Sequence, residues 1–416
     1  MPITRRDCLR IGLGSSAVLA CGNAIPAFLA RSAHALDAEN ASRPERILVV
    51  VELDGGNDGL NTVVPHIDDA YYRNRPQLNV AAKSVLKIDD RIGLAPQLQG
   101  FADLLERKQL AVVQSVGYPN TSRSHFQSMS IWQSGRLDAT LATEGWLSRY
   151  MDVKAPAGTL DSPAIHVDDG KLALALSGGE FQAPTVNRLE RLERRLGVSS
   201  AAGAEEQRTQ LDFVLGQQRG DPGSPLRFVQ QSTLVSFASS QRLREMIRMA
   251  KSAPAVYPGY GLAERLKLIA QLVKARLNTV IYYTRLGGFD THVNQLGRHR
   301  NLLAELGGSV RAFFDDLGKA GEADRVLMLV FSEFGRRLEE NAGAGTDHGT
   351  AGPVFVVGPA VRSGLHGPYP NLVDLDDGDP RHAIDFRQVY ATVLEKWLSC
   401  PATNVLPQAF ELLPIL

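Results

Sequence analysis

Cysteine is nearly missing from this chain. Three occur in 416 residues, Cys8, Cys21 and Cys400, and the first two stand in an N-terminal stretch that reads as removable. A lone Cys400 forms no internal disulfide, so the folded part depends on its core rather than on cross-links. Net charge is missing too. The 45 acidic and 45 basic side chains cancel, which argues against a general binder of nucleic acid or other polyanions. Beyond the N-terminus no apolar run reaches the ~18–20 residues of a membrane-spanning helix, so the mature part carries no transmembrane segment. Internal repeats and low-complexity tracts are absent. What remains, 44% hydrophobic and 22% charged, is the composition of a globular protein with one large or two ordinary domains.

The N-terminus carries the clearest local signal. "TRRDCLRIGLGSSAVLACGNAIPAFLARSAHA" has Arg5 and Arg6 paired, a modest apolar run, and small residues at Ala33 and Ala35. A charged head, a short apolar region and an A-x-A site describe an export signal over residues 1–35 rather than an anchor. The arginine pair and the mild, glycine-containing core resemble a twin-arginine signal, although Asp7-Cys8 replaces the commoner polar-Phe pair. The implied partner is the twin-arginine export machinery, and the implied destination is periplasmic or extracellular. "VLAC", ending at Cys21, is a rival processing site, where acylation would anchor the chain instead of releasing it.

Further along, strand and helix patterns alternate. "RILVVVELDGGNDG" opens with a continuous β-branched run from Ile47 to Val51, the mark of a strand buried on both faces of a parallel sheet. "LAVVQSVGY", "NTVIYYTRLGG", "RVLMLVFSEFGRR" and "PVFVVG" read likewise. "LAPQLQGFADLLERKQ", "SRSHFQSMSIWQSG", "LAERLKLIAQLVKARL", "LLAELGGSVRAFFDDL" and "DFRQVYATVLEKWL" read as helices. This rhythm is that of an α/β sheet covered on both faces. The middle, about residues 152–257, is rich in Ala, Gly, Ser, Gln and Arg. Only "PAIHV" and "LALAL" read as strands there, and its two amphipathic helical stretches suggest an inserted cap over one end of the sheet.

Four strands deliver polar groups just past their C-terminal ends, where open α/β sheets bind ligands. The first gives Asp54, Asn57 and Asp58; the second leads to Thr121, Ser122, Ser124 and His125. The strand after the cap gives Asp290 and His292, and the next gives Glu333 and Arg336, followed by Asp347 and His348. Asp, Glu and His suit Zn²⁺ or Mn²⁺ and, with more oxygen, Mg²⁺ or Ca²⁺. In an extended Asp290-Thr291-His292 segment two ligands share one side, because side chains alternate with period two. The remaining histidines, His66, His166, His299, His366 and His382, read as surface or structural. "DLDDGDP" (374–380) has the composition of a calcium loop without its twelve-residue spacing, and reads as a solvated turn.

The blocks "ELDGGNDGLNTVVP", "SRSHFQSMSIWQSG", "GGFDTHVNQ", "FSEFGRR", "GTDHGTAG" and "IDFRQVYATVLEKWL", in that order between Glu52 and Leu398, resemble the DUF1501 family of exported bacterial proteins. That family is similar in fold to alkaline phosphatases and sulfatases. The resemblance implies an α/β fold: a three-layer α/β/α sandwich, alkaline phosphatase-like, with a mainly parallel central sheet and the inserted helical cap. It implies one or two divalent metals at the strand ends. Asp290, His292 and His348 look like the Asp/His/His set of one metal; Asp54 looks like the first-strand ligand of the second. Glu333 stands where such proteins carry Asp-His, and Phe334 occupies the histidine's place. An aromatic ring cannot coordinate, which leaves that second site short of a ligand. Asp347 is either a ligand or an acceptor fixing its neighbour's imidazole.

A nucleophile is implied near a helix N-terminus after the second strand, where free N–H groups favour anions. Ser124 fits best, with Thr121 and Ser122 as alternatives. Arg336 and Arg123 are read as clamps on the transferring oxygens. His125 is open to three readings: ligand, acid–base group or packed side chain. The leading expectation is an exported metal-dependent hydrolase of phosphate or sulfate esters, acting on a small-molecule or polymer ester. The alternative is a periplasmic metal- or ligand-binding protein, or one associated with polysaccharide, that keeps the fold without turnover.

Overall fold

The structure is a computed structural model that describes residues 46–138, 140, 142–154, 163–179, 183–186, 256–275 and 279–416. The export signal over 1–35, Cys21 and most of the expected cap over 152–257 lie outside the described residues. Among the described residues no helix is long and apolar enough to cross a membrane.

Twelve strands frame the site: β1 (Ile47–Asp54), β2 (Leu110–Gly117), β3 (Ala164–His166), β4 (Ile281–Gly287), β5 (Val326–Ser332), β6 (Arg336–Glu340), β7 (Thr346–His348), β8 (Gly352–Val357), β9 (Gly364–His366), β10 (Leu375–Asp376), β11 (Asp379–Pro380) and β12 (Ile384–Asp385). The helices used below are α1 (Gln99–Glu106), α2 (His125–Ser134), α3 (Trp146–Lys154), α4 (Gly261–Lys274), α5 (Gln295–Lys319) and α6 (Phe386–Thr392).

Alternation in β1 builds two cores at once. Ile47, Val49, Val51 and Leu53 face one side, packing with α1, α4 and α5 through Phe101, Leu266, Ile269, Val310 and Phe313. Leu48 and Val50 face the other, with Trp132 of α2, Trp146 of α3 and Tyr390 of α6. Burying each large apolar side chain contributes about 1.5–3 kcal/mol, so a strand with apolar side chains on both faces is stable only between two helical layers. The fold is therefore a three-layer α/β/α sandwich.

The central sheet has eight strands, seven of them in the order β9-β2-β8-β5-β1-β4-β3, with β12 also pairing with β2. It is mostly parallel: β1 with β4 and β5, β3 with β4, and β9 and β12 with β2. The exception is β8, which runs antiparallel to both β2 and β5. Because β8 is reversed, β1, β2, β4 and β5 still end at one edge, and β8 starts there. "PAIHV" is an edge strand of this sheet (β3). "LALAL" reads as a strand, but Leu174–Leu176 forms a 3-10 turn.

Behind that edge lies a buried ionic network. Arg75 and Asp58 pair at 2.7 Å with both side chains fully buried. Arg75 also donates to the carbonyls of Leu338 and Arg337, each at 2.8 Å, which ties it to β6. Asp58 accepts from Gln295, and His299 Nε2 lies 3.0 Å from Asn57 Oδ1. Burial pushes His299 down to about 4. For Asp58 burial acts upward, yet the Arg75 charge outweighs it and lowers the carboxyl. Asn57 and Asp58, which the sequence places among the strand-end groups, are thus framework.

Candidate metal centre

The turn after β1 sets the floor of the site. Gly55 (φ +118°) and Gly56 (φ +70°) adopt conformations that favour glycine. A Cβ on Gly55 would collide with the backbone N of Asp290, and one on Gly56 would strike the Phe334 ring. This close passage lets Arg336 reach across three strand ends. It donates to the carbonyls of Gly56 (2.7 Å), Thr346 (2.8 Å), Phe289 (3.1 Å) and Gly55, and to Asp290 Oδ1 at 2.9 Å. Its side chain is 0% exposed. Arg336 is therefore not a clamp on substrate oxygens: its donors are spent on holding the loops that carry Asp290 and His348. Arg123 is spent likewise. Asp379 accepts from it at 2.7 and 3.1 Å, and Asp377 at 3.0 Å. The stretch read as a solvated turn is the β10–β11 hairpin, and its Asp379 is wholly buried.

On this floor three histidines converge on one carboxylate. Asp290 Oδ1 lies 3.0 Å from His348 Nε2, 3.0 Å from His292 Nε2 and 3.5 Å from His125 Nε2. The Nε2 atoms of His292 and His348 are 2.9 Å apart. The opposite nitrogen of each ring is engaged: His125 Nδ1 with Glu333 Oε1 at 2.7 Å, His292 Nδ1 with Asp347 Oδ1 at 3.0 Å, and His348 Nδ1 with the Arg123 carbonyl at 2.8 Å. A carbonyl or carboxylate oxygen only accepts, so each Nδ1 carries a proton, which leaves Nε2 as the nitrogen whose lone pair a metal would take. His125 Nε2 is buried with no hydrogen-bond partner among the described residues. Donors around tetrahedral zinc with bonds of ~2.0–2.1 Å sit roughly 3.3 Å apart, which matches the 2.9–3.5 Å spacings here. His125, Asp290 and His348 could thus hold a metal ion, with His292 alongside.

The charges around the cluster follow from its contacts. Burial would raise the Asp290 carboxyl, but hydrogen bonds from His348 and Arg336 and the Arg336 charge hold it well below the usual range. The Glu333 hydrogen bond raises His125, whereas burial lowers His348. Burial, then the Glu333 charge, raises Asp54.

Other residues singled out in the sequence occupy different places. Glu333 is fully buried behind His125; Oε1 also accepts from the Gly55 N–H at 2.9 Å, and Oε2 accepts from Ser332 Oγ at 2.9 Å. It orients His125 and lies outside the donor cluster. Asp347 plays the same part for His292 and is itself lowered, chiefly by the Asn341 hydrogen bond. Asp54 points to Arg285 at 3.4 Å and is not among the converging donors. Phe334 packs against the His125 and His348 rings at 5.0 and 4.7 Å, so an apolar wall stands where a second site would need a ligand. Ser124 is exposed at the N-cap of α2 and makes no side-chain capping bond. The alternatives are engaged: Thr121 Oγ1 donates to the Tyr118 carbonyl and Ser122 Oγ to Gln127.

Sequence reading missed Glu52. In β1 it is buried, accepting from Gln133 Nε2 at 2.5 Å and from the Tyr283 hydroxyl. Burial pushes its carboxyl from 4.5 up to about 7. Folding therefore favours the protonated form. The associated stability is complete below pH ~4.5 and is lost as pH rises through about 7, with a magnitude on the order of 3 kcal/mol. The expected result is that wild type loses stability relative to Glu52→Gln between pH 5 and 8, measured by urea unfolding; parallel pH profiles would contradict it.

Among curated proteins none matches this chain in sequence. Among solved structures it is similar to the PsFucS1 sulfatase from Pseudoalteromonas sp., at 12% identity and TM-score 0.39, over 89% of this chain and 72% of that one. It is similar to the C-terminal periplasmic domain of EcEptC from Escherichia coli, at 12% identity and TM-score 0.35, over 90% and 89%. It is also similar to the alkaline phosphatase of the Antarctic bacterium TAB5, at 12% identity and TM-score 0.33, over 76% and 92%. Residues 45–399 match the family described as "Protein of unknown function (DUF1501)", and the chain belongs to that family.

Proposed function

We propose that this chain is an exported, metal-dependent hydrolase of phosphate or sulfate esters. One observation carries the reading: three imidazoles, each fixed at Nδ1, present Nε2 to the single oxygen of Asp290. His125, Asp290 and His348, with His292, would hold the ion. Three nitrogens and one oxygen favour a borderline metal such as Zn²⁺ or Mn²⁺ over oxygen-seeking Mg²⁺ or Ca²⁺. A divalent ion bound there supplies Lewis acidity toward an ester oxygen and makes a nearby hydroxyl more acidic. Export rests on the paired arginines and the A-x-A site of the N-terminus.

Ser124 directly precedes His125, so its hydroxyl is carried by the same helix start that carries a donor. The first N–H groups of α2 favour an anionic group beside it. Ser124 Oγ forms a bond to phosphorus or sulfur as the ester oxygen departs and leaves, protonated, as the alcohol. Water then releases phosphate or sulfate and restores the hydroxyl. Ser124→Ala is expected to lower turnover of 4-nitrophenyl phosphate or sulfate by ~10³-fold or more with metal content unchanged. Undiminished turnover in that variant would remove Ser124 as nucleophile, and no turnover by metal-loaded wild type would remove the hydrolase. The second reading, metal or ligand binding without turnover, is favoured by one feature: Arg123 and Arg336 are both committed to protein acceptors, leaving neither to clamp ester oxygens.

A further inference from the structure

A cavity of about 240 Å³ lies beside the metal centre, lined by Asn120, Thr121, Arg123, Thr350, Arg381 and His382 among others. It shares a wall with the site: the Arg123 carbonyl holds His348 Nδ1, and Thr350 follows His348 by two positions. Its volume falls just short of the ~300–1,000 Å³ of usual ligand pockets, which suits a single ring. Its charge is balanced, not cationic. Arg123, Arg337 and Arg381 are matched against Asp374, Asp376, Asp377 and Asp379, three guanidiniums against four carboxylates. An anion finds no net attraction there.

The hydrogen-bonding capacity left over is mixed. The side chains of Asn120 and His382 have no hydrogen-bond partner among the described residues, and each offers both donor and acceptor. Thr121 and Thr350 give their hydroxyl protons to the carbonyls of Tyr118 and Pro380, which leaves both oxygens as acceptors facing the cavity. Hydroxyl groups, which donate and accept at once, satisfy such a set; a sulfate or phosphate, which only accepts, does not. We infer that this pocket binds a neutral, hydroxyl-rich ring, the alcohol portion of the ester. That this ring belongs to an ester rests on the hydrolase reading; the binding of the ring itself does not.

The test is titration of the metal-loaded full chain with neutral methyl hexopyranosides, followed by saturation-transfer NMR and calorimetry. At least one is expected to bind saturably. Affinity should fall roughly 10-fold or more in Thr350→Val and His382→Ala, each removing a hydrogen bond of discriminating value, and stay near wild type in Thr350→Ser, which keeps the hydroxyl. Thermal midpoints of the variants separate misfolding from lost contacts, and His382→Ala keeps the test open if Thr350→Val fails to fold. Glycoside binding without any ester turnover keeps the pocket and removes the hydrolase. Aryl-ester turnover with no saturable glycoside binding overturns the pocket, as does sulfate binding abolished by Arg381→Ala, or glycoside affinity unchanged in both pocket variants.

Discussion

Asp290→Asn is expected to bind Zn²⁺ or Mn²⁺ at least ~100-fold more weakly than wild type. Removing a residue that merely orients a ligand costs 10–100-fold in affinity, and Asp290 is the oxygen on which three imidazoles converge. A ligand at ~1,000 times its dissociation constant stabilises the folded chain by about 4 kcal/mol, so the loss also shows in unfolding. Wild type should gain thermal stability on metal addition, and the variant should gain little. Asp290 also accepts from buried Arg336, so the metal-free variant starts less stable. The comparison with and without chelator isolates the metal contribution. An equal metal-induced shift in both proteins would count against Asp290 as a donor.

The second large effect lies behind the site. Asp58→Ala leaves Arg75 buried without its carboxylate, and breaking one half of a buried pair costs about 3–5 kcal/mol. Urea unfolding should show the unfolding free energy falling by that amount, as a lower midpoint with the slope kept. The double variant Asp58→Ala/Arg75→Met should recover part of it, since no unpaired charge then remains. Because Arg75 also holds the Leu338 and Arg337 carbonyls, the hairpin bearing His348 should loosen as well. A change under about 0.5 kcal/mol in the single variant, the level of an ordinary surface substitution, would show that the pair is not dry.

Much of this architecture is legible in the residues. The β-branched run at Ile47–Val51 announces a strand buried on both faces, and the two cores divide it by alternate positions. The polar groups after β1, β2, β4 and β5 point to one edge of the sheet, because parallel strands end together. The reversal of β8 is not legible, since "PVFVVG" is equally apolar in either direction. "LALAL" misleads for a related reason: short apolar runs carry no period that separates strand from turn.

At the site, residue type was informative and partnership was not. Asp290, His292 and His348 are the ligand types that a metal needs, and they do meet. Arg336 looks like a clamp until its acceptors appear; four of the six are backbone carbonyls, which no side-chain pattern encodes. Glu333 follows the same rule, buried against Gly55 N–H and His125. His125 stands 165 residues before Asp290. Its only sequence signal is a helix start after the second strand, a position that serves structure as readily as chemistry.

Equilibrium dialysis of the purified chain against Zn²⁺, followed by elemental analysis, tests the central claim most directly. The geometry predicts about one ion per chain, retained in Asp54→Ala and lost in His348→Ala. No bound ion, or equal amounts in wild type and His348→Ala, would contradict it.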